Sequence, residues 1–439
     1  NMDQTVWNTV NGRIFELTDP DGTQSISRLS VHADFILILI SPLYLIWSNP
    51  KMLLLLQTVV LAFGAFGVFV ISKEVLKNKQ ISLALSLAFL LNPAVQFTNL
   101  YDFHPVTLST TFLLWTFYFF LKKKYLLFLV FAVLSGITKE EVWAIIAIFG
   151  IFIAGRSFWE NKKISKDFLF GAILFIIGAI LFYTLIAIII PLFRGEDHFA
   201  LSYYSDFGNS AQDIVKNIIF NPVKTFSTLF EHTRIAFLSE LLLPLGYLSL
   251  LSPLLLIFAI PDLLINLLSN NPQLHQIYYQ YSSSITPFIF ISAIFSCKLV
   301  VDKFKKINFR LLSIYILIAS IVALYNTGPM PGSKRPNIDM FTKQLENRVV
   351  IKKVIDSIPK NFSVASTNNL GSHLSGRKNI YSIPYGMDRA DVIVFLLERG
   401  YSELTYIEQL NMIENLKNNP QFNLEFEDKD FYLFKKSNL

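Results

Sequence analysis

The long apolar runs constrain this chain more than any motif in it. Stretches approaching the roughly 17–25 residues that cross a bilayer occur at residues 52–72, 81–95, 106–121, 125–137, 142–154, 168–193, 235–250, 254–268, 287–301 and 311–325. Of 439 residues, 53% are hydrophobic and 16% charged, against about 25% charged in an ordinary soluble domain. The surplus apolar surface must therefore face lipid, and the pattern predicts an all-α polytopic membrane bundle over residues 1–326. Residues 81–95, 125–137 and 142–154 are short and need flanking positions to complete a span. Residues 35–47 carry Ser41-Pro42 inside and end at Ser48-Asn49-Pro50, so they read as an interfacial or re-entrant helix rather than a span. The single cysteine, Cys297, excludes an internal disulfide framework and a multi-cysteine metal site, while leaving His/carboxylate sites open.

Placement of the basic residues orients the bundle. If residues 52–72 run from outside to inside, Lys73, Lys77 and Lys79, then Lys122 to Lys124, then Arg156, Lys162, Lys163 and Lys166, then Lys303, Lys305, Lys306 and Arg310 all share one side. The positive-inside rule makes that side cytoplasmic, and puts all six histidines and the acidic loops outside. The net charge of +6 then belongs to membrane topology and implies no nucleic-acid partner. Residues 327–332, Thr-Gly-Pro-Met-Pro-Gly, form a breaker-rich linker. Beyond it, residues 333–439 predict a small extracytoplasmic α/β domain, with strands at 362–366, 379–383, 391–397 and 422–434 and helices at 339–358 and 401–418. The first residues do not read as a cleavable signal peptide.

Polar residues concentrate in the outside segments. Residues 1–34 carry Asp3, Arg13 and His32 beside an apolar bundle, either as a site or as a solvated loop with a turn at Asp19-Pro20-Asp21-Gly22. Asp102 and His104, at i and i+2, project to one side of an extended backbone and can share a proton or an ion; the alternative is a loop anchored at the headgroups. Lys139, Glu140 and Glu141 lie between two apolar runs, where successive charges must be paired or solvated. There Lys139 suits a lipid phosphate as a point charge. His198, Tyr203 and Tyr204 in one loop, and His275, Tyr278, Tyr279 and Tyr281 in another, suit either sugar stacking or an interfacial aromatic belt. Glu240 and Asp262 stand inside apolar runs, where an ionisable group marks function or pairing.

These residues carry a family resemblance. Asp3-Gln4 with Trp7-Asn8 and Gly12-Arg13, His32 ahead of Ser41-Pro42-Leu43-Tyr44, Gln57, Asp102-Phe103-His104-Pro105, Lys139-Glu140 and residues 260–264 resemble an uncharacterised family of polytopic membrane proteins that is similar to the C-type (GT-C) glycosyltransferases. The resemblance implies a GT-C-like bundle that uses a polyprenyl-phosphate-linked sugar as partner. It also implies a chain beginning upstream of Asn1, since members normally carry another N-terminal span. A carboxylate must take the acceptor's proton and a cation must meet the leaving phosphate. Asp3 and then Asp102 are the expected bases. Arg13, His32, His104, Lys139 and Glu140 are the expected substrate-binding residues, with a divalent cation compatible with the histidines. A transporter or flippase, or a non-catalytic assembly protein, is the alternative.

Overall fold

The structure, a computed structural model, describes residues 1–397 and 404–439. It is mostly helical with a small C-terminal sheet, and the chain divides into two compact units. One comprises Asn1–Arg28, Leu37–Leu53 and Asp339–Leu439; the other comprises Leu29–Ile36 and Leu54–Ile338. The unit holding the C-terminal sheet thus also takes in segments that the sequence had grouped with the membrane region.

Far fewer than ten helices are long and apolar enough to cross a membrane. Among the described residues there are four: Lys51–Leu76, Val142–Asn161, Lys166–Arg194 and Phe309–Thr327. The pair Lys79–Leu90 and Pro93–Leu100, bent by 42°, makes a fifth if it is one span. The expectation of ten fails because apolar composition does not guarantee helical continuity. Residues 235–250 stop being α-helical at Leu242, where Pro244 and then Gly246 and Tyr247, both at positive φ, break the ladder. Residues 254–268 are a 3-10 segment, Pro253–Ala259, followed by the short helix Ile260–Leu267. Tyr125–Gly136 has 12 residues, about 18 Å of helix against a core of about 30 Å. Thr286–Lys303 is longer, but Lys298, Asp302 and Lys303 place three charges within its 18 residues, too many for an apolar span.

In the other unit, strands β1 (Glu16–Thr18) and β2 (Ser25–Ser27) form a short antiparallel hairpin. Strands β3 (Val364–Ser366), β4 (Ile380–Ser382), β5 (Val392–Leu396), β6 (Phe422–Asp428) and β7 (Phe431–Lys436) form a mixed sheet in the order β4-β3-β5-β7-β6. β3 pairs in parallel with β4 and β5, while β7 runs antiparallel to both β5 and β6. Every residue of β5 is buried, and its period-2 alternation explains why. Val392, Val394 and Leu396 pack with Ile351 and Ile355 of the helix Arg348–Ser357, whereas Ile393 and Phe395 pack with Ile413 and Leu416 of the helix Tyr406–Lys417. A strand covered on both faces reads as a continuous apolar run. The expected strand at 422–434 is two strands, reversed at Lys429, which is at positive φ. The expected helix at 339–358 is two helices, Asp339–Thr342 and Arg348–Ser357. Of the helix expected at 401–418, residues 401–403 lie outside the described residues.

Gln4, on the helix Met2–Val10, ties that helix to the edge of this sheet. Gln4 Nε2 donates to Thr18 Oγ1 at 2.8 Å and to the Lys378 carbonyl at 2.9 Å, Gln4 Oε1 accepts from Thr18 N, and Thr18 Oγ1 accepts from Ile380 N. These bonds close the edge of β4, which would otherwise be open to water or to another strand. A fragment of residues 339–439 should therefore gain thermal stability when a peptide of residues 1–28 is added in trans, by several degrees for about 1 kcal/mol. An unchanged melting temperature would remove the docking role of Gln4.

Candidate functional site

Histidine 32 lies between the 3-10 turn Arg28–Ser30 and the helix starting at Ile36. The backbone of this segment is fastened to the turn between the helices Tyr125–Gly136 and Val142–Asn161: Ile36 N donates to the Ile137 carbonyl at 2.9 Å, and Ala33 N donates to Glu140 Oε2 at 3.0 Å. Gly136 is required here. A Cβ on it would lie 2.6 Å from the Trp143 ring, which packs where the side chain would be.

The Glu140 carboxylate is buried at the N-terminus of the helix Val142–Asn161, where the helix dipole favours negative charge. His32 Nδ1 lies 2.7 Å from Glu140 Oε1, and His198 Nε2 lies 3.5 Å from the same oxygen. Burial opposes ionisation of Glu140, but His32, His198 and Lys139 together outweigh it and hold the carboxyl well below the usual range. The neighbouring charges pair with each other: Lys139 Nζ is 2.6 Å from Glu141 Oε1. Burial would strip the proton from Lys139, yet Glu141 and Glu140 more than compensate, and its pKa moves up. The neighbours of Lys139 and Glu140 thus favour the charged form of each, which is how a charged group beside an apolar bundle is tolerated.

Lys139 also sits over the Tyr281 ring, 5.7 Å from its centroid. From there a row of rings continues. Tyr281 meets Tyr279 at 6.3 Å, Tyr279 meets Tyr101 edge-on at 5.2 Å, and Tyr101 stacks on His104 at 5.3 Å. The two loops of expected site residues, around Asp102 and around Lys139, are therefore joined by tyrosines from a third.

Asp102 and His104 do not join through their side chains. His104 Nδ1 bonds the Asp102 backbone carbonyl at 2.9 Å, and the Asp102 side chain is exposed. His104 is held instead by Gln57, whose Oε1 accepts from His104 N at 3.1 Å and from Thr107 Oγ1 at 2.9 Å.

Asp3 and Arg13 belong to the other compact unit. Asp3 is buried and accepts hydrogen bonds from the Tyr44 hydroxyl and, at 2.5 Å, from Ser375 Oγ. Burial pushes the Asp3 carboxyl up, and the two hydroxyls pull the other way without overcoming it. Arg13 donates twice to Asn8 Oδ1, at 3.0 and 2.8 Å, and lies over Trp7.

Sequence reasoning named His32, Lys139 and Glu140 as site residues and offered Glu140 or Glu141 as the partner of Lys139, of which the structure pairs Glu141. It noted His198 only in a separate loop and did not join it to Glu140. His198 is the N-cap of the 3-10 turn Phe199–Tyr204, and nothing in its loop ties it in sequence to residue 140. Asp262 is buried, takes a hydrogen bond from Ser284, and leaves Oδ1 without a partner among the described residues.

His32, Glu140 and His198 each offer one ligand atom, and the three atoms lie within 4.8 Å of one another. The donor types suit zinc. The hydrogen bonds suit it less well, because Ala200 N donates to His198 Nδ1 at 3.1 Å. In a neutral ring that leaves the proton on Nε2, the atom facing Glu140, and a protonated nitrogen is not a ligand.

Apolar spans and a buried, ionised cluster at a helix turn define a helical membrane protein with a polar site. The chain belongs to the family described as Predicted membrane protein (DUF2079), whose model matches residues 2–426 and whose function is unknown. No curated protein matches it.

Proposed function

We propose that this protein is a membrane glycosyltransferase that moves a sugar from a polyprenyl-phosphate carrier to an acceptor at the outer face of the cell membrane. The observation that carries the reading is the row from His104 through Tyr101, Tyr279 and Tyr281 to Lys139. Rings on which a sugar can stack lead to a cation held charged by its neighbours. A phosphosugar presents those two features side by side, and Lys139 meets the charge that develops on the leaving phosphate. Asp3 and Asp102 are the carboxylates that the resemblance offers as bases. Unchanged turnover in both Asp3→Asn and Asp102→Asn would remove them from that role.

The test is binding and transfer with radiolabelled polyprenyl-phosphate sugars on the full chain in lipid nanodiscs. Lys139→Ala should weaken donor binding by 10-fold or more, since a charged hydrogen bond contributes about 1.5–3 kcal/mol. Wild-type protein that binds none of a panel of such donors would sink the reading. Asp262, with its unpartnered buried oxygen, favours a second reading in which the polar groups line a transport path. Lipid-sugar flux in proteoliposomes without transfer would support it.

The same proposal places the basic clusters in the cytoplasm and residues 331–439 outside. In a Cys297-free background, an impermeant thiol reagent should label a cysteine replacing Ser372 in intact cells and spare one replacing Lys123. The opposite pattern would invert the topology.

A further inference from the structure

We propose that His32 is the proton acceptor of this site, its basic nitrogen Nε2 set free by Glu140; the inference rests on the glycosyl-transfer reading for its reaction but not for its geometry. The Glu140 carboxylate can only accept, so the 2.7 Å contact fixes the His32 proton on Nδ1, and the lone pair of the neutral ring is then on Nε2. Among the described residues, Nε2 of His32 makes no hydrogen bond. The other two partners of Glu140 are donors as well: Ala33 N to Oε2, and His198, whose Nε2 is left protonated by the bond from Ala200 to Nδ1. Three donors around one buried carboxylate form a self-consistent set that needs no additional proton or ion.

The ring is held as well as oriented. Phe199 meets His32 edge-on at 5.4 Å, stacks on His198 at 4.9 Å, and carries the Arg194 guanidinium over its own ring, 5.6 Å from the centroid. The His32 side chain remains 21% exposed against 3% for Glu140. The base therefore reaches the surface of the cluster while its orienting carboxylate stays dry. Neither carboxylate offered by sequence is placed this way. Asp3 already accepts from Tyr44 and Ser375, and Asp102 lies in an exposed loop where, among the described residues, its carboxylate has no hydrogen-bond partner to orient it.

In the reaction, the acceptor hydroxyl oxygen forms a bond to C1 of the sugar as the bond from C1 to the phosphate oxygen breaks. The bonding pair leaves with the polyprenyl phosphate, and the hydroxyl proton passes to His32 Nε2. The imidazolium so formed lies against the Glu140 carboxylate, which stabilises it, and loses its proton to water through the exposed edge. Glu140 and His198 are positioning residues in this scheme.

Two measurements on the full chain test it. Histidine NMR in nanodiscs, assigned with His32→Gln and His198→Gln, should find His32 in the Nδ1–H form and His198 in the Nε2–H form. His32→Ala should lower transfer from a polyprenyl-phosphate sugar by about 10²–10⁴-fold, with donor binding within about 2-fold and partial rescue by added imidazole, which a merely structural role would not give. Glu140→Gln should depress transfer and broaden or shift the His32 tautomer signal. The inference is overturned by His32 in the Nε2–H form, by unchanged transfer in His32→Ala, or by one tightly bound zinc per chain that is lost in that variant. Correct tautomers in a wild-type protein that transfers no sugar would instead defeat the glycosyl-transfer reading and leave the Glu140–His32 couple standing.

Discussion

Gly150→Leu should unfold the membrane unit at a markedly lower temperature, with a destabilisation on the order of 3 kcal/mol, the upper end of what overpacking costs. The helices Val142–Asn161 and Lys166–Arg194 approach so closely that a Cβ at Gly150 would lie 2.6 Å from the Gly171 carbonyl oxygen and 2.7 Å from Phe175 Cα. Gly171 faces it in the same way, with Ala154 N at 2.5 Å, and Gly178 meets Ala147 N at 2.8 Å. The atoms met are backbone, which cannot rotate aside, so the helices must separate and lose contact along their length. Close approach through small residues is how transmembrane helices associate when lipid is as apolar as the partner. Gly155, in the same helix, has nothing within 4 Å of its would-be Cβ. Gly155→Ala is therefore the control, and should be neutral or stabilising by up to about 1 kcal/mol. Thermal unfolding in detergent reads both, and equal melting temperatures for Gly150→Leu and wild type would refute the packing.

The second large effect is expected at Asp3, where two substitutions should act in opposite directions. Asp3→Ala leaves the Tyr44 hydroxyl without its acceptor and the Ser375 hydroxyl with only the Ser372 carbonyl, at a cost of about 1–3 kcal/mol for an orphaned buried group. Asp3→Asn keeps an acceptor for Tyr44 and removes a charge that burial disfavours. The sign with pH follows from the raised pKa. The protonated carboxyl is the form the fold favours, so its contribution is fully present below the ordinary aspartate value and is lost as pH rises through the raised native value. Relative to wild type, Asp3→Asn should gain stability across that interval and hold the gain above it. A stability difference that is flat with pH would mean that the Asp3 carboxyl has the same pKa folded and unfolded, so that burial does not shift it.

Much of this protein was legible in its sequence because the relevant signals are local. A short apolar run marked a strand at residues 391–397, seen at Val392–Leu396, and charges stranded between apolar helices marked Lys139 and Glu140. Both follow from what a residue and its near neighbours must bury. The number of spans was not legible in the same way. Residues 235–250 and 254–268 are apolar enough to cross, but the prolines and left-handed turns within them divide the chain into short pieces.

Pairing at long range was decided only by the tertiary structure. Glu140 meets His32 across 108 residues and His198 across another loop, and Asp3 meets Ser375 across 372. No periodicity encodes such contacts, since they depend on where whole helices and strands come to rest. The sequence alone determined that the chain must place apolar helices in lipid and keep its charges at their ends. The fold decided which charge meets which, because a buried carboxylate is tolerated only where packing from distant segments brings enough donors to hold it ionised.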